Sequence, residues 1–310
     1  MRFVLIGLAL VLAGCAEPPA PRAETGFSRV AFLQEAHPLA GVIWDVAAGR
    51  EIDAETLADR LRAADVAILG EIHDNPRHHV RQAQMVSEIA PAGVAFEMVP
   101  EASEEGISVY LEQGGRVGEI GPAIGWNRLG WPDWSYYRPI FEAAPGAQFT
   151  GGAVPSTELS TAIRQGAATA FGAGADRYGL SSAPDAATQE ALEDEMIASH
   201  CNKLPRQAAG GMVEAQRLRD ARFASAVERA HLAGGPTVLI TGNGHARADR
   251  GVPAYLALSQ PDLSVAALGQ VEVVEGLDTP ERYGAAEALP YDYVWFSARV
   301  DRPDPCASFN

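Results

Sequence analysis

Apolar and polar positions fall into three regimes along the chain. Behind Met1-Arg2, residues Phe3 to Ala13 form an almost unbroken apolar run. Crossing a bilayer takes roughly 20 apolar residues, so this run has the length of a signal-peptide core. From about Gly41 to Pro100, short apolar strings alternate with segments of helical period. GVIWDV (41–46) reads as a first strand. Asp53 stands where an N-cap belongs, ahead of a helix over 54–64 that carries Leu57 and Leu61 on one face. VAILG (66–70) and GVAFEM (93–98) are strands with no polar face, the pattern of a parallel sheet covered on both sides. A helix over 76–89 separates them, with Pro76 at its favoured first position. In the third regime, residues 101–142 and 156–234 are mostly helical, broken by Gly and Pro; 190–200 and 211–231 are the clearest helices. FTGGAV (149–154), TVLIT (237–241), 263–268 and 291–296 supply further strands. No internal repeat is visible. The alternation predicts an α/β fold: a mostly parallel central sheet flanked by helices, with a helical lobe inserted around 101–235.

The apolar leader ends in Leu12-Ala13-Gly14-Cys15, which resembles the lipobox of bacterial lipoproteins. Residues 1–14 are then a lipoprotein signal peptide, and Cys15 accepts the lipid that anchors the chain. Several acyl chains together hold a protein stably on a membrane. Ala16-Glu17 lacks the aspartate that retains lipoproteins at the inner membrane, which points to the outer membrane, facing the periplasm. Residues 15–36 begin with the lipidated Cys and a Pro-rich tether, and 37–310 form the folded domain. The formal charge of −16 argues against nucleic acid and against adhesion to anionic lipid. With Cys15 lipidated, Cys201 and Cys306 remain, and two cysteines in an oxidising compartment suggest one disulfide. The alternative is a pair of buried free thiols.

Titratable groups concentrate at the predicted carboxyl ends of three strands. Glu71 and His73 follow VAILG, Glu97 lies near the end of GVAFEM, and His245 follows TVLIT through Gly242 and Gly244. In an open parallel sheet, ligands bind beyond these strand ends, so the four residues should converge. Two carboxylates and two imidazoles suit a divalent metal such as Zn or Mn, or general acid–base chemistry. Each alone has a plainer reading as a hydrogen-bonded structural residue. On the long helix, Gln216 and Asp220 share a face that lines the same cleft or is simply solvated. GWNRLGWPDWSYYRP (125–139) concentrates Trp126, Trp131, Trp134, Tyr136 and Tyr137, flat surfaces that either meet a planar ligand or seal the helical lobe onto the sheet.

LGEIHDNPRHH, FEM, SHCNKLP with GMVEAQRLRDARFA, and TGNGHARADRGVPAYL together resemble the ChaN family of haem-binding lipoproteins, in the Tiki superfamily. The match runs from about His37 to Phe296. The resemblance implies a haem or iron-porphyrin ligand, a role in iron uptake, and as partners an outer-membrane haem receptor and a second copy of the chain. Tyr137 and His200 are candidate iron ligands, Trp134 a surface for the porphyrin, and Arg138 or Arg128 partners for propionates. The superfamily's more distant TraB-like and erythromycin esterase-like members imply an alternative. In it, Glu71, His73, Glu97 and His245 form the site of a metal-assisted hydrolase. A third reading is a protein-interaction module on a vestigial fold.

Overall fold

Short strands joined by helical crossovers must run parallel, and the centre of this molecule follows that rule. The computed structural model describes residues 30–284, 289–304 and 306–307. The signal segment, Cys15 and the Pro-rich start of the tether lie outside the described residues. The strands are β1 (Phe32–Leu33), β2 (Ile43–Asp45), β3 (Arg50–Ile52), β4 (Val66–Glu71), β5 (Gly93–Pro100), β6 (Gln148–Ala153), β7 (Thr237–Gly242), β8 (Val265–Glu272), β9 (Tyr293–Ser297) and β10 (Arg299–Val300). One sheet has the order β3-β2-β9-β8-β4-β7-β5-β6. From β9 to β6 every pairing is parallel, and β2 adds an antiparallel hairpin with β3 at the β9 edge. β1 and β10 pair separately.

Strand faces are divided between two cores. Ala67 and Leu69 of β4, Phe96 of β5 and Ile240 of β7 pack on one side. That side is covered by α1 (Ala54–Ala63), α2 (Pro76–Ile89), α3 (Glu104–Glu112), α4 (Ile120–Ile124) and α5 (Trp134–Glu142). Ile68, Ala95 and Leu239 point the other way. There the cover is α6 (Ser156–Gln165), α7 (Ala167–Phe171), α9 (Arg206–His231), α10 (Asn243–Ala246) and α11 (Val252–Ser259), with α8 (Ala186–Ser199) packed outside them on α9. The helical stretch 101–235 is thus split by β6, which joins the edge of the sheet and sends one set of helices to each face.

Local chemistry sets the boundaries. Asp53 caps α1 by accepting from the Thr56 amide at 2.7 Å. Asn75 caps α2 by accepting from the Arg77 amide at 3.1 Å, with Pro76 in the first turn. The length of α9, 26 residues, rests on a buried face of small side chains (Ala215, Ala221, Ala224, Ala230) that lets it lie close on the sheet. Most of its stability comes from that packing, since isolated helices are marginal in water. Among the described residues no helix is long and apolar enough to cross a membrane. The expected disulfide is present: Cys201, just after α8, is bonded to Cys306.

Candidate functional site

β4, β7 and β5 are neighbours, and their carboxyl ends bring the polar residues together. In the register, Glu71 is opposite Gly242, and Phe96 opposite Ile240. Glu71, Glu97 and the turn into α10 therefore meet at one end of the sheet, as the strand-end argument expects.

Glu71 is buried and surrounded by donors. His73 Nδ1 lies 2.7 Å from its Oε1, and the Tyr137 hydroxyl donates to the same oxygen at 2.8 Å. His79 Nδ1 stands 3.0 Å from Oε2. Burial alone would raise this carboxyl, but the charges and hydrogen bonds of His79 and His73 outweigh it and hold it well below the usual carboxylate range. The reciprocal effect falls on His73. Burial works against its charge, and the Glu71 hydrogen bond, with the charges of Glu71 and Glu97, pushes it up to about 9. Burial and the Glu71 carboxylate push the Tyr137 phenol well above its ordinary value, so it stays a donor.

Glu97 is oriented by β7. Its Oε2 accepts from Thr241 Oγ1 and from the Gly242 amide, both at 2.7 Å. Its Oε1 faces His73 Nε2 at 3.9 Å and His245 Nε2 at 3.7 Å. His245 is set from the other side: its Nδ1 is 2.6 Å from Asp220 Oδ1 on α9, and Gln216 Nε2 is 3.1 Å away. Burial disfavours the charged imidazole and the Asp220 and Glu97 charges favour it, with a net upward shift; burial also raises Asp220. The pair therefore holds its proton more tightly than a free histidine would. Gly242 keeps this approach open, since a Cβ on it would lie 3.0 Å from His73 Nε2 and press on the imidazole.

Glu71, His73, Glu97 and His245 do come together at the strand ends, but their expected role as a metal set does not follow. Among the described residues no group of three or more His, Cys, Asp or Glu is arranged to hold a metal ion. Glu71 turns inward to His73, Tyr137 and His79 instead of towards the centre, and Glu97 spends one oxygen on β7. The Zn or Mn expectation is corrected on that ground, and the metal-assisted hydrolase is not the reading the geometry favours.

The four expected cofactor residues do not share one surface. Tyr137 is buried, with its hydroxyl on Glu71, so it positions the carboxylate and is no exposed iron ligand. Trp134 is half-buried on α5, donating Nε1 to the Gly118 carbonyl at 3.0 Å. Arg138 is exposed, 3.7 Å from Glu142. These three belong to the α5 side of the sheet. The aromatic segment mostly seals that side, through tilted ring contacts such as Trp126 with Tyr137, centroids 4.8 Å apart. His200 is on the other side, at the end of α8. It is half-buried, with Nδ1 2.7 Å from the Met196 carbonyl.

Sequence reasoning assigned no role to His79, which reaches Glu71 only because the tight turn at Asn75 folds α2 back. His78, its neighbour, accepts from the Ile72 amide at 2.9 Å and meets Ser297 Oγ at 2.8 Å. Burial pushes it well below the usual imidazole range, and it is structural. A cleft of about 370 Å³ adjoins the strand-end cluster on the α8–α9–α11 side. Leu192 and Met196 of α8, Val213 of α9 and Tyr255 and Leu258 of α11 form its apolar walls, and Gln216 and Asp220 connect it to His245.

A doubly wound α/β protein with a polar cluster at its carboxyl strand ends and an apolar cleft beside it is the class these features define. Residues 57–256 match the family described as haem-binding uptake, Tiki superfamily, ChaN, and the chain belongs to that family. Among solved structures, ChaN of Campylobacter jejuni, described for cofacial heme binding, superposes with a TM-score of 0.61 at 17% identity. The similarity covers 84% of this chain and 97% of that one, and it bears on the fold. The type III effector HopBA1 gives a TM-score of 0.41 at 10% identity, covering 78% of this chain and 91% of that one. A succinoglycan biosynthesis protein gives 0.36 at 14%, covering 79% and 73%. No curated protein matches the chain.

Proposed function

We propose that this protein is a haem-binding lipoprotein of the cell envelope, held by lipid on Cys15 at the periplasmic face of the outer membrane and acting in haem or iron acquisition. Family membership is the observation that carries haem binding. The leader ending in Leu12-Ala13-Gly14-Cys15 supports the anchor. In that role it would take haem from, or pass it to, an outer-membrane receptor, with a second copy of the chain as a further partner.

The cleft between α8, α9 and α11 fits a porphyrin in its donor chemistry. Apolar walls suit the macrocycle faces, and Arg250, paired with Glu195, is a lining cation that a propionate would meet. His200 lies one helical turn beyond Met196, a lining residue, and is itself outside the lining. With its Nδ1–H given to the Met196 carbonyl, its lone pair is on Nε2, the arrangement found in metal-bound histidines. His200 is thus the iron ligand we assign. The haem would supply only its iron and its flat surface, and the chain supplies the rest. The test is a haemin titration of the chain from Ala16 onward, followed in the Soret region. We expect saturable binding at a defined ratio and an altered band in His200→Ala. A linear, unsaturable absorbance would remove the haem reading, and saturable binding with an unchanged band in the variant would remove His200 as ligand.

A further inference from the structure

We propose that the Cys201–Cys306 disulfide is a latch on the haem cleft, so that its reduction loosens α8 and speeds haem release. The inference rests on the haem reading above and adds a control on that site. α8 supplies one whole wall of the cleft through Thr188, Leu192, Glu195 and Met196. Yet no residue of α8 is buried, so it has no core of its own to hold it. Its charged fastenings are Glu195 with Arg250 of the neighbouring loop, and Glu193 and Asp194 with Arg206 of α9. Exposed pairs of this kind contribute little. The covalent link at the end of the helix is the strong fastening.

That link also reaches the proposed iron ligand, since Cys201 follows His200 directly. Cys201 and Asn202 both have left-handed backbone, with φ of 58° and 57°. Asparagine tolerates that region, whereas cysteine is rarely found there. The turn is closed by the Asn202 amide donating to the Ile197 carbonyl at 2.9 Å and the Lys203 amide to the His200 carbonyl at 3.0 Å. At the other end, Arg302 is fastened to Asp74 and Glu272 near the strand ends, by bonds of 2.7–2.8 Å. Cys306, four residues on, therefore ties the His200 turn to the body of the sheet. Remove the bond and a strained cysteine is free to relax, carrying the imidazole and the end of α8 with it.

The chemistry needs a dithiol reductant. One thiolate attacks a sulfur of the bridge and forms a mixed disulfide, and its second thiolate displaces the protein. Two electrons pass to the bridge, Cys201 and Cys306 each leave as a thiol, and the reductant leaves as its disulfide.

The experiment uses the full chain with Cys15→Ser, so that the bridge cysteines are the only thiols, before and after a dithiol and as the Cys201→Ser/Cys306→Ser double variant. Hydrogen exchange is read over 186–204 and over β4, β5 and β7, and haemin dissociation is followed in the Soret region. A working latch gives exchange in 186–204 that rises well beyond the rise in the sheet set by the lower global stability, and haemin loss about tenfold faster in both thiol and serine forms. Unchanged exchange in 186–204 with unchanged haemin loss overturns it. Exchange in 186–204 rising no more than in the sheet overturns it as well, since the bond would then be a general staple only. If haemin binds neither form, the haem reading fails, and the exchange over 186–204 still decides whether the bond restrains the cleft wall.

Discussion

Glu71 shows how a single side chain organises its surroundings. A carboxylate taken out of water is costly unless paired and hydrogen-bonded. Here the Tyr137 phenol of α5 and the His73 imidazole just after β4 both bond Oε1, and the His79 imidazole of α2 stands 3.0 Å from Oε2. The partner His73 keeps 35% of its side chain exposed, so it carries the consequence out to the solvent side. Its folded value of about 9 lies above the ordinary 6.5. A raised histidine stabilises the fold fully below about pH 6.5, and that contribution fades as pH rises through 9. Thermal stability should therefore decline between pH 7 and 10 in the native chain and decline less in His73→Gln. An NMR titration of His73 with a midpoint near 6.5 would refute the pairing.

Helices and turns decide where the cleft lies and how wide it is. The lip of residues 179–182 has no regular structure of its own; Leu180 roots it in the core, and one guanidinium gathers its carbonyls. Arg217 of α9 donates Nη2 to the carbonyls of Gly179, Leu180 and Ser182 at 2.7–3.3 Å, while Nη1 pairs with Glu214 at 2.6 Å. An arginine can serve several acceptors at once because its donors are fixed in a planar fork. Arg217→Ala should raise hydrogen exchange at 179–184, weaken haemin binding several-fold and leave the sheet protected. Each lost charge-assisted bond is worth about 1.5–3 kcal/mol at most. Arg217→Lys should rescue poorly, because a point charge cannot span three carbonyls.

Across the protein as a unit, the disulfide closes a long loop: its cysteines are 105 residues apart. In the chain-entropy account a loop of that size stabilises by roughly 4–5 kcal/mol through the unfolded state. Reduction should then lower the melting temperature by about 10 °C, read by calorimetry with and without a dithiol. An unchanged melting temperature would mean that the unfolded chain is already constrained near both cysteines. The formal charge of −16 argues against adhesion to anionic surfaces.

Much of this was legible from residue order. Wholly apolar strings named the parallel strands, Asp53 and Pro76 marked helix starts, and Glu71, His73, Glu97 and His245 could be grouped because strand ends in such sheets point the same way. Periodicity is a local property, and so is the position of a side chain at the end of its strand. What lies across the fold was not legible. That Tyr137 sits under Glu71 depends on how α5 packs on α2. That Asp220 orients His245 depends on the face α9 turns to the sheet. Separating His200 from the aromatic segment required knowing that β6 sends the two helical sets to opposite faces. These are facts of packing over long sequence distances, where many pairings suit the same pattern and only burial and hydrogen-bond demand select one.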